Sequence, residues 1–387
     1  MVAVVGGATP GVPEPPGVPA TTPRAADEAA AFSANRLPDR LSDRLPDRLP
    51  DRFSNRLSVR LSVAIVSWNV RDLVLRCLSS VFGSHEVTVD VVLVDNASGD
   101  GTVEAVREAF PNVRVIANAD NRGFPAANNQ AFRAMGVLAA ERGGTGLSAE
   151  GGHKGRPYTD GVASYTMILN PDTEVAPDAL ALLVDALAAD PALAAVGPRL
   201  RYPDGRVQPS RFRDPTPLTL LCESTPLAWH WPNNPVARRY HMADVAGDGA
   251  QDVEWLNGAA LMFRTEALRA AGGFDEGFFL YSEEADLCRR LRDAGWRIRH
   301  EPEAEIVHHE GRSSDQVVAA RHVHFQRSRL RYCAKHNGRT AAALVRLGVR
   351  FEFAVELLLE ALKWMIGHKR PLRAGRVRAY WAVIRSI

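Results

Sequence analysis

Hydrophobic and polar positions alternate between two periods along residues 61–201. Short apolar runs have the length and β-branched content of strands: LSVAIVSW (61–68), DVVLVD (90–95) and YTMILN (165–170). Between them lie segments with apolar residues at helical spacing, among them RDLVLRCLSSVF (71–82) and PDALALLVDALAAD (177–190). This alternation predicts an α/β fold, Rossmann-like, in which a mostly parallel sheet is flanked by helices.

After residue 201 the pattern becomes less regular. Residues 203–250 are rich in Pro, Trp and charge, and VEWLNGAALMFRTEALRAAGG (253–273) then returns to a strand followed by a helix. SEEADLCRRLRDAG (282–295) predicts an amphipathic helix, and WRIRHEPEAEIVHH (296–309) predicts short strands. A glycine-rich insertion at 142–163 is expected to be a surface loop.

The two ends of the chain differ from this middle part. Residues 1–60 hold six copies of a four-residue unit, Asp/Asn-Arg-Leu/Phe-Pro/Ser, in which prolines forbid a continuous helix. We expect a disordered low-complexity tail, or alternatively a weak electrostatic contact with anionic lipid headgroups. The predicted organisation is therefore this tail at 1–60, an α/β domain at 61–315 and a helical, basic extension at 316–387.

The extension is amphipathic and carries aromatic anchors. LVRLGVRFEFAVELLLEALKWMIG (344–367) is interrupted by charges, so we expect no membrane-spanning helix there. HKRPLRAGRVRAYWAVIRSI (368–387) mixes Lys and Arg with Tyr380, Trp381 and Ile384, a pattern typical of a helix that lies on an anionic membrane surface. The alternative is that these helices pack on the preceding domain or on a second subunit, which would give a homodimer.

Composition narrows the class of protein. The chain has 387 residues, 46% of them hydrophobic, and a formal net charge of +2, which indicates a globular protein and gives no argument for nucleic acid. Its four cysteines are widely spaced and form no CxxC pair, which is typical of a reducing cytoplasm. With no charged-then-apolar signal peptide at the start, we expect a cytoplasmic protein.

Two acids follow predicted strands, where ligands bind in sheets of this kind. Asp95 ends DVVLVD, and its carboxylate could accept the imide N–H of a uracil or thymine ring. Asp172 follows Asn170-Pro171, which stops the strand YTMIL, and it could be a ligand of a Mg²⁺ ion that bridges a diphosphate. Either acid by itself is also compatible with an ordinary turn.

A second group of chemistry-bearing residues lies towards the end of the α/β pattern. Glu283, Glu284 and Asp286 crowd the start of a predicted helix, where the helix dipole stabilises negative charge and where a general base could also lie. His308 ends a predicted short strand and precedes GRSS (311–314). A neutral imidazole there could complete a metal site or contact a phosphate.

In order along the chain, these segments resemble the family-2 inverting glycosyltransferases with the GT-A fold, and look closest to the rhamnosyltransferase-like branch acting on lipid-linked saccharides. The resemblance covers about residues 61–315. The segments that carry it are SWN (67–69), VDNASGDGT (94–102), NRGFPAANN (121–129), LNPDTEV (169–175), WLNGAALMFR (255–264), GGFDEGFFLYSEEADLCRR (272–290) and VHHEGRSS (307–314).

The resemblance implies transfer of rhamnose or a similar sugar from a nucleotide-diphosphate sugar to a saccharide acceptor, lipid-linked, in the synthesis of cell-envelope polysaccharide. Asp95 matches the acid that reads the pyrimidine base, which favours a dTDP- or UDP-sugar donor over a GDP-sugar. The nucleotide-sugar site implied in this way comprises Asp95, Asn69, Asn121, Gly123, Asn129 and Asn170.

The resemblance also implies a metal and a base. Asp172 matches the last acid of the family's Asp-x-Asp motif, whose first acid is replaced by Asn170, so Mg²⁺ or Mn²⁺ would rest on Asp172, the diphosphate and His308. The family's Glu-Asp pair appears as Glu283-Glu284, which puts Glu284 at the position of the catalytic base. Because Glu284 is one methylene longer than the usual Asp, the choice between Glu283 and Glu284 stays open.

The implied mechanism is a single in-line displacement in which Glu284 deprotonates the acceptor hydroxyl. Trp255, Asn257 and Gly258 would shape the acceptor site, with Trp255 either a sugar-stacking ring or a core aromatic. The implied location is the cytoplasmic face of the cell membrane, as a peripheral protein.

Two other functions are considered. A sugar nucleotidyltransferase would carry a glycine-rich loop after the first strand, and SWNVRDLVLR (67–76) lacks the glycines. A catalytically inactive relative that serves as a binding or scaffold protein stays open, because of the departures at positions 170 and 284.

Overall fold

The computed structural model describes residues 59–139, 162–310, 318–367 and 369–387. The predicted tail and nearly all of the glycine-rich insertion lie outside these ranges. Residues Ser58–Ile387 form one compact unit.

Twelve described strands form one large sheet and a small ribbon. They are β1 (Val59–Ser67), β2 (Val87–Asp95), β3 (Arg114–Ala117), β4 (Tyr165–Leu169), β5 (Thr173–Val175), β6 (Leu193–Arg201), β7 (Val207–Gln208), β8 (Arg211–Phe212), β9 (Gln251–Asp252), β10 (Trp255–Leu256), β11 (Ala260–Arg264) and β12 (Arg297–His308). The large sheet has the order β3-β2-β1-β4-β11-β6-β12-β5, with β7 on β6 and β9 on β12, while β8 and β10 form the ribbon.

The large sheet is mixed but mostly parallel. Strands β3, β2, β1 and β4 pair in parallel, β11 runs antiparallel between β4 and β6, and β12 pairs in parallel with β6. Strands β1 to β4, β6 and β12 therefore all point the same way, and their carboxyl ends share one edge. The predicted α/β sheet is confirmed.

Twelve described helices surround the sheet. They are α1 (Arg71–Phe82), α2 (Thr102–Ala109), α3 (Phe124–Ala134), α4 (Ala179–Ala189), α5 (Pro217–Cys222), α6 (Pro226–His230), α7 (Pro235–Tyr240), α8 (Thr265–Ala270), α9 (Glu283–Asp293), α10 (Val318–His336), α11 (Arg339–Met365) and α12 (Arg370–Ser386).

Two apolar layers cover the two faces of the sheet. On one face α1 and α4 bury Leu78 and Leu183 against the strands, and on the other α3 and α9 bury Phe132 and Leu287. The central strands are apolar on both faces for this reason; β1, for example, is buried from Leu61 to Ser67. Such continuous apolar runs are what the sequence pattern showed.

The segment 296–309 differs from its prediction. It contains one twelve-residue strand, β12, rather than short strands, and its pairing with β6 shifts register between Glu301 and Glu305. Beyond that shift β12 continues to His308 and pairs antiparallel with β5. The irregularity explains why the sequence pattern looked interrupted.

The C-terminal helices pack on the sheet domain through α10. Asp286 of α9 is fully buried and accepts from Arg290 of its own helix, and Lys335 Nζ and His336 Nε2 of α10 lie 2.7 and 2.8 Å from its carboxylate. A third apolar cluster joins α10, α11 and α12 with α5 around Val349 and Phe353. Among the described residues no helix is long and apolar enough to cross a membrane.

We expect the substitution Asp286→Ala to lower the free energy of unfolding by about 2–3 kcal/mol, because it leaves Arg290, Lys335 and His336 without the carboxylate that they contact. This is less than for a fully buried pair, since the Lys335 side chain is 33% exposed. Urea denaturation measures the loss. The control Asp293→Ala, on the same helix, removes an exposed i,i+4 pair with Arg289 and should cost less than about 0.5 kcal/mol. Equal losses in the two variants would contradict this account.

Candidate active site

A cavity of about 400 Å³ opens at the carboxyl edge of the sheet. The ends of β1, β2, β4 and β12 contribute to its wall, together with the start of α9 and one side of α10. Because parallel strands deliver the residues that follow them to the same edge, side chains far apart in the sequence meet here.

Asp172 and His308 meet through strand pairing. In the β5–β12 pair Thr173 lies opposite His308, and the His309 N–H donates to the Asp172 carbonyl at 2.9 Å. The Asp172 Oδ1 and His308 Nε2 atoms are 3.3 Å apart, and both side chains are 7% exposed. Asn170 Nδ2 lies 3.4 Å from the same His308 nitrogen. The two residues predicted to bind a metal are therefore brought together.

The other nitrogen of His308 is held by Gln208, a residue that the sequence analysis did not single out. Gln208 Nε2 donates to the Glu310 carboxylate at 3.0 Å, which leaves Gln208 Oε1 to face His308 Nδ1, also at 3.0 Å. An amide oxygen only accepts, so Nδ1 carries the hydrogen. In the neutral imidazole, Nε2 then presents its lone pair towards Asp172.

When the imidazole is neutral, its Nε2 and the Asp172 Oδ1 are two acceptors 3.3 Å apart, an arrangement that a cation bound between them would stabilise. Neighbouring ligands of an octahedral ion with bonds of about 2.1 Å are separated by about 3.0 Å, so the spacing suits Mg²⁺ or Mn²⁺. A metal-bound histidine also typically donates its second N–H to a polar partner, as His308 does. The described residues contain no group of three or more His, Cys, Asp or Glu side chains that could hold a metal, so further ligands would come from elsewhere.

Glu283 and Glu284 begin α9 directly beside the cavity. The two preceding residues, Tyr281 and Ser282, both have left-handed φ angles of 71° and 66°, which is costly for residues other than glycine. Both glutamates line the cavity, and neither of their buried Oε2 atoms has a hydrogen-bond partner among the described residues. Unsatisfied buried oxygens next to a strained turn are typical of a functional site.

The two carboxyl groups have different pKa values. Burial raises the pKa of Glu284 to about 7, although backbone N–H groups, including that of Gly258, oppose the rise. Burial, together with the charge of Glu284, raises the pKa of Glu283 well above its usual range. Glu284 can therefore exchange a proton near neutral pH.

Asp95 and Asn69 organise the loops beneath the cavity. The buried Asp95 carboxylate accepts from the hydroxyls of Ser67 and Ser98 and from the Ser98 N–H, at 2.6 to 2.8 Å. Asn69 Oδ1 accepts from the Gly99 N–H. Three of the four Asp95 lone pairs are thereby used, and the neighbouring Asn96 lines the cavity itself. Base recognition by Asp95 stays a prediction.

In the NRGFPAANN segment, some residues line the cavity and others hold the surrounding loops in place. Asn121 and Gly123 line the cavity, and Asn121 Oδ1 accepts from the Gly123 N–H. Asn129 is buried, donates to the Phe274 carbonyl and accepts from the Phe274 N–H. It holds the loop before α9 rather than facing the cavity.

Of the three predicted acceptor residues, two line the cavity and one lies in the core. Asn257 and Gly258 line the cavity. Trp255 is 8% exposed, stacks on Phe212 with ring centroids 4.2 Å apart and donates its indole N–H to the Arg213 carbonyl. As a correction, Trp255 is a core aromatic and not a cavity-lining ring, because both its ring face and its polar atom are used inside the fold.

The sequence model of the family described as glycosyltransferase like family 2 matches residues 59–323, more than two thirds of the chain. The chain belongs to this family. The resemblance that the ordered motifs carried is confirmed, and the mixed, mostly parallel sheet is the GT-A arrangement that it implied.

Relatives of this family 2 glycosyltransferase include enzymes that transfer rhamnose. An N-acetylglucosaminyl-diphospho-decaprenol L-rhamnosyltransferase of Mycobacterium tuberculosis is 34% identical over 63% of this chain and 74% of its own length. The rhamnosyltransferase WbbL of Escherichia coli is 34% identical over 21% of this chain and 31% of its own. Among solved structures, the mannosyltransferase PcManGT from Pyrobaculum calidifontis, in complex with GDP-Man and Mn²⁺, matches with a TM-score of 0.49 and 18% identity, covering 89% of this chain and 92% of that one.

Several residues that line the cavity of the glycosyltransferase were not predicted from the sequence. Trp68 follows β1, Phe279 precedes α9, and Arg321 and His324 reach the cavity from α10. The Phe279 and His324 rings stack with centroids 4.4 Å apart. The α10 residues lie in a helix whose sequence shows only a basic, amphipathic pattern, so no local signal distinguished them.

Gly123 allows the backbone to approach the loop before α9. Its φ and ψ are 82° and 167°, and a Cβ built there would lie 2.5 Å from the Phe279 carbonyl oxygen. We expect Gly123→Ala to lower the free energy of unfolding by at least about 3 kcal/mol, since strain and overpacking add. The control Gly101→Ala also has a positive φ, of 78°, but meets no atom within 4 Å and should cost about 1 kcal/mol. Similar costs by urea denaturation would show that the close approach is unimportant.

Proposed function

We propose that this protein transfers rhamnose or a similar hexose from a nucleotide-diphosphate sugar to a saccharide acceptor by a single, inverting displacement. The observation that carries the proposal is the Glu284 carboxyl group, which lies in the same cavity as Asp172 and His308, has a pKa raised to about 7, and has a buried Oε2 atom with no hydrogen-bond partner among the described residues. A general base works best when its pKa is close to the working pH. A scaffold protein would gain nothing from such a group.

Glu284 is the proposed base. It would take the proton of the acceptor hydroxyl as that oxygen attacks the anomeric carbon and the nucleoside diphosphate departs from the opposite side. Glu283 lies directly beside it, with a pKa that burial and the charge of Glu284 raise. Asn257 and Gly258, next to Glu284, would contact the acceptor.

Asp172 and His308 would hold Mg²⁺ or Mn²⁺, with the donor diphosphate and water completing the shell. When bound, the ion would neutralise charge that develops on the leaving diphosphate. Gln208 would fix the ring of His308 so that Nε2 faces the site, and Arg321 and His324 line the wall from α10.

The donor is proposed to be a dTDP- or UDP-sugar. Asn121, Gly123 and Asn170 line the cavity where the nucleotide-sugar would lie, while Asp95, Asn69 and Asn129 fix the surrounding loops. The acceptor is proposed to be a lipid-linked saccharide of the cell envelope; in support, the name of the mycobacterial relative gives N-acetylglucosaminyl-diphospho-decaprenol for that enzyme. The protein would then act at the cytoplasmic face of a membrane.

We expect Glu284→Gln to lower kcat for sugar transfer by about 10²–10⁴-fold while the donor still binds, because the amide cannot accept the proton. Since the base must be deprotonated, the wild-type rate should fall as the pH falls through about 7, and the variant should lose this acid limb. The matched control Glu283→Gln should keep most of the activity. If Glu283→Gln is the inactive variant, the two roles are reversed; if both transfer normally, neither residue is the base.

The role of Gln208 is tested on metal binding. We expect Gln208→Leu to weaken Mn²⁺ binding by about 10–100-fold, because His308 loses the partner that orients its ring. Isothermal titration of Mn²⁺ in the presence of dTDP or UDP measures this without any turnover. Gln251→Leu, at a glutamine that bonds to Arg211 and Ala246 instead, serves as the control. Unchanged affinity in Gln208→Leu, with His308→Ala also unchanged, would remove His308 from the proposed site.

A further inference from the structure

In its second half, helix α11 buries two acids and exposes large apolar side chains. Its buried side includes Glu356 and Glu360, which are 7% and 2% exposed, whereas Phe351 and Leu358 on the other side are 69% and 59% exposed. A helix at the surface of a water-soluble domain normally buries its apolar stripe and exposes its charges. The outer side of α11 is therefore built for surroundings other than water.

The buried charges are satisfied inside the protein. Both carboxylate oxygens of Glu360 accept from Arg373 Nη1 of α12 at 2.6 Å, and Glu356 Oε1 lies 2.5 Å from His230 Nε2 of α6. Glu352 accepts from the Leu227 N–H. All three acids of α11 thus fasten the helix to its neighbours, and none is left for the outer side.

The outer side is broad as well as apolar. In the described segment 351–366 the exposed residues are apolar apart from Lys363, whose side chain is 44% exposed and pairs with Glu360, and exposed leucines extend the stripe back to residue 344. At 100° per residue the stripe spans about 140° of the helix and is about 34 Å long. A coiled-coil seam is a narrower stripe of two positions in seven, whereas here Val355, Leu358, Leu359 and Leu362 lie side by side and are all exposed. The shape suits an apolar medium better than a single partner helix.

Basic and aromatic residues border this stripe. At the end of α11, Trp364, Met365 and Ile366 are 45%, 57% and 82% exposed. The exposed Lys369 and Arg370 follow, with the Arg370 guanidinium 5.7 Å from the centre of the Trp364 ring. Residues 339–387 contain ten Lys and Arg against three Glu, and since those acids face inward, the exposed charge is positive.

We propose that the outer side of α11 and its turn into α12 form a docking surface for an anionic lipid bilayer. Helix α11 would lie in the plane of the interface, with its apolar side at the boundary of the acyl chains and Lys369 and Arg370 among the headgroups. The proposal goes beyond sugar transfer, because it concerns where the protein binds and not what it catalyses.

The test is flotation of the full-length protein with vesicles made of equal parts phosphatidylglycerol and phosphatidylcholine. Wild-type protein should float with these vesicles and much less with phosphatidylcholine alone. Leu358→Glu should weaken the partitioning by about tenfold or more, because it places a charge in the apolar stripe. The matched control is Val207→Glu, because Val207 is 58% exposed, nearly the same as Leu358, but lies on β7. The Val207→Glu variant should bind the vesicles as well as the wild-type protein does.

A second variant, Ile366→Glu, repeats the test at the turn, and circular dichroism verifies that each variant is folded. The proposal is overturned if wild-type protein does not float, or if both stripe variants float as well as it does. A third outcome also overturns the proposal. Light scattering would show a dimer that Leu358→Glu converts to a monomer, while vesicle binding is unchanged. The surface would then be an interface between two copies of the chain. No donor or acceptor is present, so the result is independent of the proposed catalysis.

Discussion

The antiparallel pairing of β5 with the last residues of β12 is the contact on which the candidate site depends. It places Thr173 opposite His308 and so holds Asp172 against a residue at the far end of the α/β domain. The pairing is possible because β12 runs in the same direction as β4 and ends at the same edge. A shift of one residue in register would turn His308 to the opposite face of the strand. The residues of β12 that pair with β5 all lie after its register shift, and the local sequence does not show this.

Parts of this architecture can be predicted from the sequence, because their causes are local. The strands β1, β2 and β4 are apolar on both faces, so each reads as a continuous run whatever its partners are. Asp172 could be singled out because it follows such a run, and His308 because it ends a predicted strand. Gln208 could not, since it gains its importance only when the two-residue strand β7 pairs with β6. The resemblance supplied the roles of the motif residues, and the structure separated those at the cavity from those, like Asn129 and Trp255, that hold the fold.

The departure from the family's usual acid at position 284 has a physical counterpart. A glutamate reaches one methylene further than an aspartate, and here its carboxyl group lies within 3.6 Å of the point where a side chain on Gly258 would begin. A Cβ at position 258 would therefore be in ordinary van der Waals contact with the longer acid. Burial raises the pKa of Glu284 further than the surrounding backbone N–H groups lower it, and burial together with the charge of Glu284 raises the pKa of Glu283. Burial, and not the change of residue, sets the acidity of this site.

Helix α10 contacts the cavity, α9 and α11. One end of it lines the cavity through Arg321 and His324, and the other is fixed to α9 by the contacts of Lys335 and His336 with Asp286. Its side chains also share an apolar cluster with α11. Because close-packed elements cannot shift separately without loss of contacts, a protein held at a surface by α11 would keep its cavity at a fixed distance and tilt from that surface. For an enzyme whose acceptor is anchored in the same bilayer, this restriction limits the search for the acceptor to two dimensions. Membrane contact would also explain why Glu352, Glu356 and Glu360 bind neighbouring helices instead of facing outward.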